Sequence, residues 1–119
     1  MNTNALFFGL AVTDFAAADH WYTRLFGRAA DVVVTPGIEA MWQLGDTVFV
    51  YIVVDPERAG RALVNIAVPD LETAVTEIGS RGVDPGPFIL VGPDGAAGRK
   101  APFVDPDGNS IFVIEIAAA

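Results

Sequence analysis

The sequence predicts an α+β domain: two tandem βαβββ modules forming a cupped mixed sheet with helices on its outer face. Three observations point there, namely an internal repeat, an amphipathic helical stripe in each copy, and three strand-like runs after each stripe. Phe8-Gly9-Leu10-Ala11-Val12-Thr13-Asp14-Phe15 aligns with Val64-Asn65-Ile66-Ala67-Val68-Pro69-Asp70-Leu71 at an offset of 56 residues. In each copy a short apolar run meets an Asp and then a helical pattern.

The first run, from Ala5 to Val12, is a strand. After it Phe15, Ala18, Trp21, Tyr22, Leu25 and Phe26 share one face at a helical advance of about 100° per residue. Asp14 suits the N-cap, because its carboxylate can accept orphan N–H groups of the first turn, and Gly27 suits a left-handed stop. Strand-like runs follow at Asp31 to Thr35, Ile38 to Leu44 and Thr47 to Val54, parted by the turn pairs Pro36-Gly37 and Gly45-Asp46. Asp55-Pro56-Glu57-Arg58-Ala59-Gly60 reads as the linker between halves and is too short to separate independent domains. The second helix starts at Asp70, buries Leu71, Ala74, Val75 and Ile78, and ends at Arg81-Gly82. Its strands are Pro87 to Val91, Arg99 to Val104 and Ser110 to Ile116, parted by Gly92-Pro93-Asp94-Gly95 and Asp105-Pro106-Asp107-Gly108. The expected plan is one domain over 1–119, with module one at about 5–54, a linker at about 55–60 and module two at about 61–116.

Composition narrows the function. Seven Lys+Arg stand against 15 Asp+Glu, a formal charge of −8 that opposes binding to phosphate backbones, so nucleic acid is not an expected partner. The 52% hydrophobic content is ample for a core. The longest apolar runs fall far short of the roughly 18 residues of a membrane helix, so no membrane partner is expected. Met1-Asn2-Thr3-Asn4 lacks the basic start of a secretory signal, which reads as a cytoplasmic protein. The absence of cysteine excludes a disulfide scaffold, thiolate zinc and a Cys nucleophile.

Ala11-Val12-Thr13-Asp14 leading into Trp21-Tyr22-Thr23-Arg24-Leu25-Phe26-Gly27, with Asp105-Pro106-Asp107-Gly108-Asn109 near the end, resembles the vicinal oxygen chelate superfamily over nearly the whole chain. That superfamily includes glyoxalase I, extradiol dioxygenases and the bleomycin-resistance binding proteins, all on paired βαβββ modules. The resemblance implies a divalent metal held by His, Glu or Gln in its enzymes. The matching positions here are Phe7 on the opening strand, its repeat counterpart Leu63, and Phe112, four residues past the Gly of the Asp-Pro-Asp-Gly turn. None can ligate a metal, since a phenyl ring or an isobutyl group offers no lone pair. No metal and no cofactor are therefore expected.

Other groups do not rebuild a reactive centre. His20, the single imidazole, lies opposite the apolar stripe and reads as solvated. Glu115 alternates with Ile111 and Val113, away from Phe112. Asp105 and Asp107 read as turn residues, with Pro fixing φ and Asp or Asn bonding local backbone. With one misplaced His and no Cys, no nucleophilic triad can be assembled.

A βαβββ module has one helix to cover one sheet face, so the other face must enclose something or find a partner. Phe7, Gly9, Phe49, Tyr51, Asn65, Phe103 and Phe112 are the expected lining, and Trp42 joins them because indole offers a large stacking area with one donor. The reading is metal-independent sequestration of a hydrophobic or aromatic small molecule, resembling the bleomycin-resistance type, with no catalytic residues assigned. The alternative is a metal-dependent lyase, isomerase or dioxygenase of the glyoxalase type, in which a different strand register brings Glu115, Glu39 or Gln43 into the site. Open sheet edges and an apolar concave face predict a C2 homodimer, as small members of the resembled superfamily commonly form.

Overall fold

Two Asp caps start the two helices. Asp14 Oδ1 accepts from Ala17 N at 3.0 Å ahead of α1 (Phe15–Phe26), and Asp70 Oδ1 accepts from Thr73 N at 3.2 Å ahead of α2 (Leu71–Ser80). Gly27, at φ 80°, takes the left-handed turn that ends α1, a conformation that side chains resist. The computed structural model describes residues 1–118. Around α1 lie β1 (Leu6–Val12), β2 (Val32–Thr35), β3 (Glu39–Gly45) and β4 (Val48–Val54). Around α2 lie β5 (Leu63–Ala67), β6 (Ile89–Val91), β7 (Gly98–Val104) and β8 (Ser110–Ile116).

The fold is the expected pair of βαβββ units, carried by two four-stranded sheets. Sheet A has the order β1-β4-β3-β2 and sheet B the order β5-β8-β7-β6, each with one parallel pair, β1 with β4 and β5 with β8. β6 is shorter than the Pro87 to Val91 run, in keeping with a proline that has no N–H to give a ladder. Among the described residues no helix is long and apolar enough to cross a membrane.

Alternation sorts each sheet into a helix side and an open side. On the helix side Leu10 and Val12 of β1, Ala40 and Trp42 of β3, and Val50 and Ile52 of β4 pack beneath α1 with Tyr22 and Leu25. Ala101, Phe103, Ile111 and Val113 do the same for α2 with Leu71 and Ile78, and both sets belong to one buried cluster. One core therefore serves both modules.

Polar groups fasten the seam between them. Arg81 of the second module donates from Nη2 to Leu25 O at 2.9 Å and from Nε to Arg24 O, capping carbonyls at the end of α1. Arg24 Nη1 donates back to Gly82 O at 3.2 Å. The Asp105–Asn109 turn reaches across in the other direction. Asp105 is 4% exposed, and its Oδ2 accepts from Tyr22 Oη at 2.7 Å and from Asn109 Nδ2 at 2.8 Å. Asn109 Nδ2 also donates to Ala11 O at 2.9 Å, while Asp107 accepts from Thr13 Oγ1 at 2.6 Å and from Thr13 N. Asp105 Oδ1 accepts from Asp107 N and Asn109 N, the local bonding expected of an Asx turn. The turn is thus a clamp between modules, a role that local spacing alone does not reveal.

A second carboxylate fixes the chain after α1. Asp31 Oδ2 accepts from Gln43 N at 2.7 Å and from Arg28 Nη2 at 3.1 Å. These contacts, the backbone N–H first, hold the Asp31 carboxyl below its usual range. The sign follows: the stability they contribute is present above the unfolded carboxylate pKa and is lost as pH falls through the folded one. Asp31→Asn is expected to flatten this acid-side dependence, read as a smaller difference in urea midpoint between pH 7 and pH 3 than in the parent.

Candidate ligand-binding site

The open sides carry the side chains that no helix covers. Sheet A presents Phe7, Gly9 and Ala11 from β1, Phe49, Tyr51 and Val53 from β4, and Glu39, Met41 and Gln43 from β3, as the registers Phe7↔Phe49, Gly9↔Tyr51 and Met41↔Tyr51 require. Phe7 stacks on Phe49 with centroids 4.7 Å apart and planes 11° from parallel. Gly9 makes room for its neighbour, since a Cβ there would come within 2.5 Å of the Tyr51 ring. The sheet therefore carries an aromatic cluster, the Tyr51 ring laid over Gly9 beside the stacked Phe7–Phe49 pair.

Sheet B presents Leu63, Asn65 and Ala67 from β5, Phe112 and Ile114 from β8, and Lys100 and Pro102 from β7. Lys100 Nζ sits 3.9 Å from the centroid of the Phe112 ring. Both open sides are poorly covered within one chain: Phe7 is 55% exposed and Leu63 73%. The shallow hollows that touch them lie at the module seam, one lined by Gly9, Ala11, Arg58, Arg61 and Ala62, another by Phe8, Leu44, Val48, Asn65 and Ala67 among others.

Six of the eight lining residues expected from sequence, Phe7, Gly9, Phe49, Tyr51, Asn65 and Phe112, stand on the open sides. Trp42 and Phe103 do not, and their assignment is corrected. Trp42 pairs with Val50, is fully buried beneath α1, and donates from Nε1 to Arg28 O at 2.9 Å. Phe103 pairs with Ile111 and is 1% exposed. The signal was present in both strands: Ala40-Trp42 alternates with Glu39, Met41 and Gln43, and Ala101-Phe103 alternates with Lys100 and Pro102. An apolar set facing a mixed set marks the core side. Lys100 also stands on the open side, outside the lining expected from sequence, and its alternation with Arg99 and Ala101 is the signal that places it there.

His20 is exposed on α1. Glu115 lies on the helix side, where its Oε1 accepts from Leu71 N at 3.0 Å and Oε2 stands 3.7 Å from Arg99 Nε. It serves the start of α2 and does not reach the open side.

The repeat also defines the central positions. Phe7 corresponds to Leu63, and because Gly9 pairs with Tyr51 as Asn65 pairs with Phe112, Tyr51 corresponds to Phe112. The positions that the resemblance implies for a metal, Phe7, Leu63 and Phe112, together with Tyr51 as the repeat counterpart of Phe112, thus carry one oxygen among them, that of Tyr51. This set does not fit a divalent ion, which needs imidazole or carboxylate donors. Among the described residues no group of three or more His, Cys, Asp or Glu side chains could hold one elsewhere.

No protein-family model matches the chain, and no curated protein matches it. Solved structures do. A glyoxalase/bleomycin resistance protein from Catenulispora acidiphila DSM 44928 is 36% identical, with a TM-score of 0.87 over 97% of this chain and 100% of that one. A bleomycin-binding protein in complex with bleomycin is 21% identical, with a TM-score of 0.70 over 98% of this chain and 100% of that one. A lactoylglutathione lyase from Agrobacterium tumefaciens is 18% identical, with a TM-score of 0.72 over 97% and 95%. The last two show the shared fold, whereas the first, similar in sequence along its whole length, carries more. The repeat, the two sheets and that likeness together show that this chain belongs to the glyoxalase/bleomycin resistance protein family of the vicinal oxygen chelate superfamily.

Proposed function

We propose that the protein binds a planar or hydrophobic small molecule in the cytoplasm and leaves it chemically unchanged. The observation that carries this reading is the set Phe7, Tyr51, Leu63 and Phe112 at the centre of the open sides. It offers stacking and burial and gives a metal-dependent reaction neither imidazole nor carboxylate. The bleomycin-binding neighbour is consistent with it.

A second copy of the chain completes the site in this proposal. Beyond Phe7 and Leu63, the exposed apolar residues of the open sides include Val32 at 45% and Ile89 at 40%, more than a stable monomer commonly leaves in water. Sheet A of one copy set against sheet B of the other, about a two-fold axis, would cover them and enclose two equivalent cups.

Two measurements test this. Light scattering at micromolar concentration is expected to give twice the mass of one chain, and a single-chain mass that persists as concentration rises would overturn the dimer. Titration with the neutral aromatic probe 1-anilinonaphthalene is expected to give saturable fluorescence enhancement, unaltered by nickel, zinc, manganese or ferrous iron. Stoichiometric metal bound at a strand carboxylate would instead favour the metal-dependent lyase, isomerase or dioxygenase reading.

A further inference from the structure

Each open side carries one charged strand residue, and the two occupy the same place in the repeat. Glu39 pairs with Val53, which pairs with Ala11; Lys100 pairs with Ile114, which pairs with Ala67. Since Ala11 and Ala67 are themselves repeat counterparts, Glu39 and Lys100 are equivalent positions of opposite sign. Neither forms an ion pair among the described residues, although Arg28, Arg58 and Arg99 all do. Lys100 is hemmed in by Ile89 and Ile114 along the ladder, and its ammonium lies over the Phe112 ring. A cation partly withdrawn from water, with only a ring face for company, keeps donors free for an anion.

Resting on the binding reading above, we propose that Lys100 is the anchor for an acidic group on the ligand, so that the site takes planar aromatic acids. The ring system lies between Phe112 and the opposing aromatic cluster of Phe7, Phe49 and Tyr51, and its carboxylate, sulfonate or phenolate meets the Lys100 ammonium. Glu39, at the equivalent place on the facing wall of a cup that sets sheet A against sheet B, repels the acid and fixes one orientation. The formal charge of −8 does not prevent this. Much of it sits on the helix layer, as Asp14, Asp19, Asp70, Glu72 and Glu77, about 10 Å beyond the sheet, while the Debye length at physiological salt is about 8 Å. At contact distance the nearest charge decides.

The test uses two probes that share one ring system, neutral 1-anilinonaphthalene and its 8-sulfonate, titrated against the intact protein. The sulfonate is expected to bind roughly tenfold tighter, the scale of one charge-assisted hydrogen bond, with a margin that shrinks as salt rises. Lys100→Met is expected to reduce the margin to within about twofold, and Lys100→Arg to keep it. Equal affinities in the parent, or a margin that survives Lys100→Met, would overturn the anchor while leaving the binding reading in place. Loss of dimer in both Lys100→Met and Glu39→Gln, with the margin intact, would reassign the two charges to each other across the interface and overturn it as well. Failure of both probes to bind would remove the binding reading and the anchor together.

Discussion

Asp105→Ala is expected to destabilise the fold by about 3–5 kcal/mol, a large part of the roughly 5–15 kcal/mol that holds a domain of this size. The carboxylate accepts four hydrogen bonds, from Tyr22 Oη, Asn109 Nδ2, Asp107 N and Asn109 N, and all four donors lose a partner at once. Two of these side chains are buried where water cannot replace it. Burial first, then the Asp105 carboxylate, pushes the Tyr22 hydroxyl far above its ordinary range, so it remains a proton donor at every working pH. Tyr22→Phe should cost only about 1–2 kcal/mol, because the ring keeps its packing against Trp21, Phe26 and Trp42 while Asp105 keeps three donors. Urea unfolding followed by circular dichroism separates the two. A loss below 1 kcal/mol for Asp105→Ala would show that the turn is a local device and that the modules are held together by the apolar core alone.

The two modules were legible because the repeat is written in residues whose physics is local. An Asp cap bonds within one turn, a stripe declares its face through a 3.6-residue period, and Gly27 marks a stop by its own backbone freedom. β4 was legible for a similar reason: Val48, Val50 and Ile52 differ visibly from Thr47, Phe49 and Tyr51. The Asp105 clamp was not. Its partners Tyr22, Ala11 and Thr13 lie more than 80 residues away, and no spacing rule reports a contact of that range. Trp42 and Phe103 lie in the core for a different reason. An aromatic side chain suits either face of a strand, so in a sheet with one covered face the flanking Glu39, Gln43 and Lys100 decide which face is which. By the same rule Lys100 belongs to the open side.

Trp42→Ala and Phe112→Ala are expected to separate core from site, with effects that cross over between two readouts. Trp42 is fully buried, tilts against Phe26 at 5.4 Å between centroids, and spends its one donor on Arg28 O. Truncation removes an indole from beneath α1 and leaves that carbonyl without its partner, so stability should fall by about 3–5 kcal/mol. Phe112 is half-buried on the open side, with the Lys100 stem above it and no helix over it, so the same truncation should cost less than about 1.5 kcal/mol of stability. Its cost appears in binding instead. Stacking and burial of one ring are together worth roughly tenfold in affinity for neutral 1-anilinonaphthalene, and that factor should be lost. Chemical denaturation and probe titration on both variants give four numbers. If Phe112→Ala unfolds the protein as readily as Trp42→Ala, Phe112 belongs to the core; if it leaves probe affinity unchanged while folding normally, the ligand does not rest on sheet B.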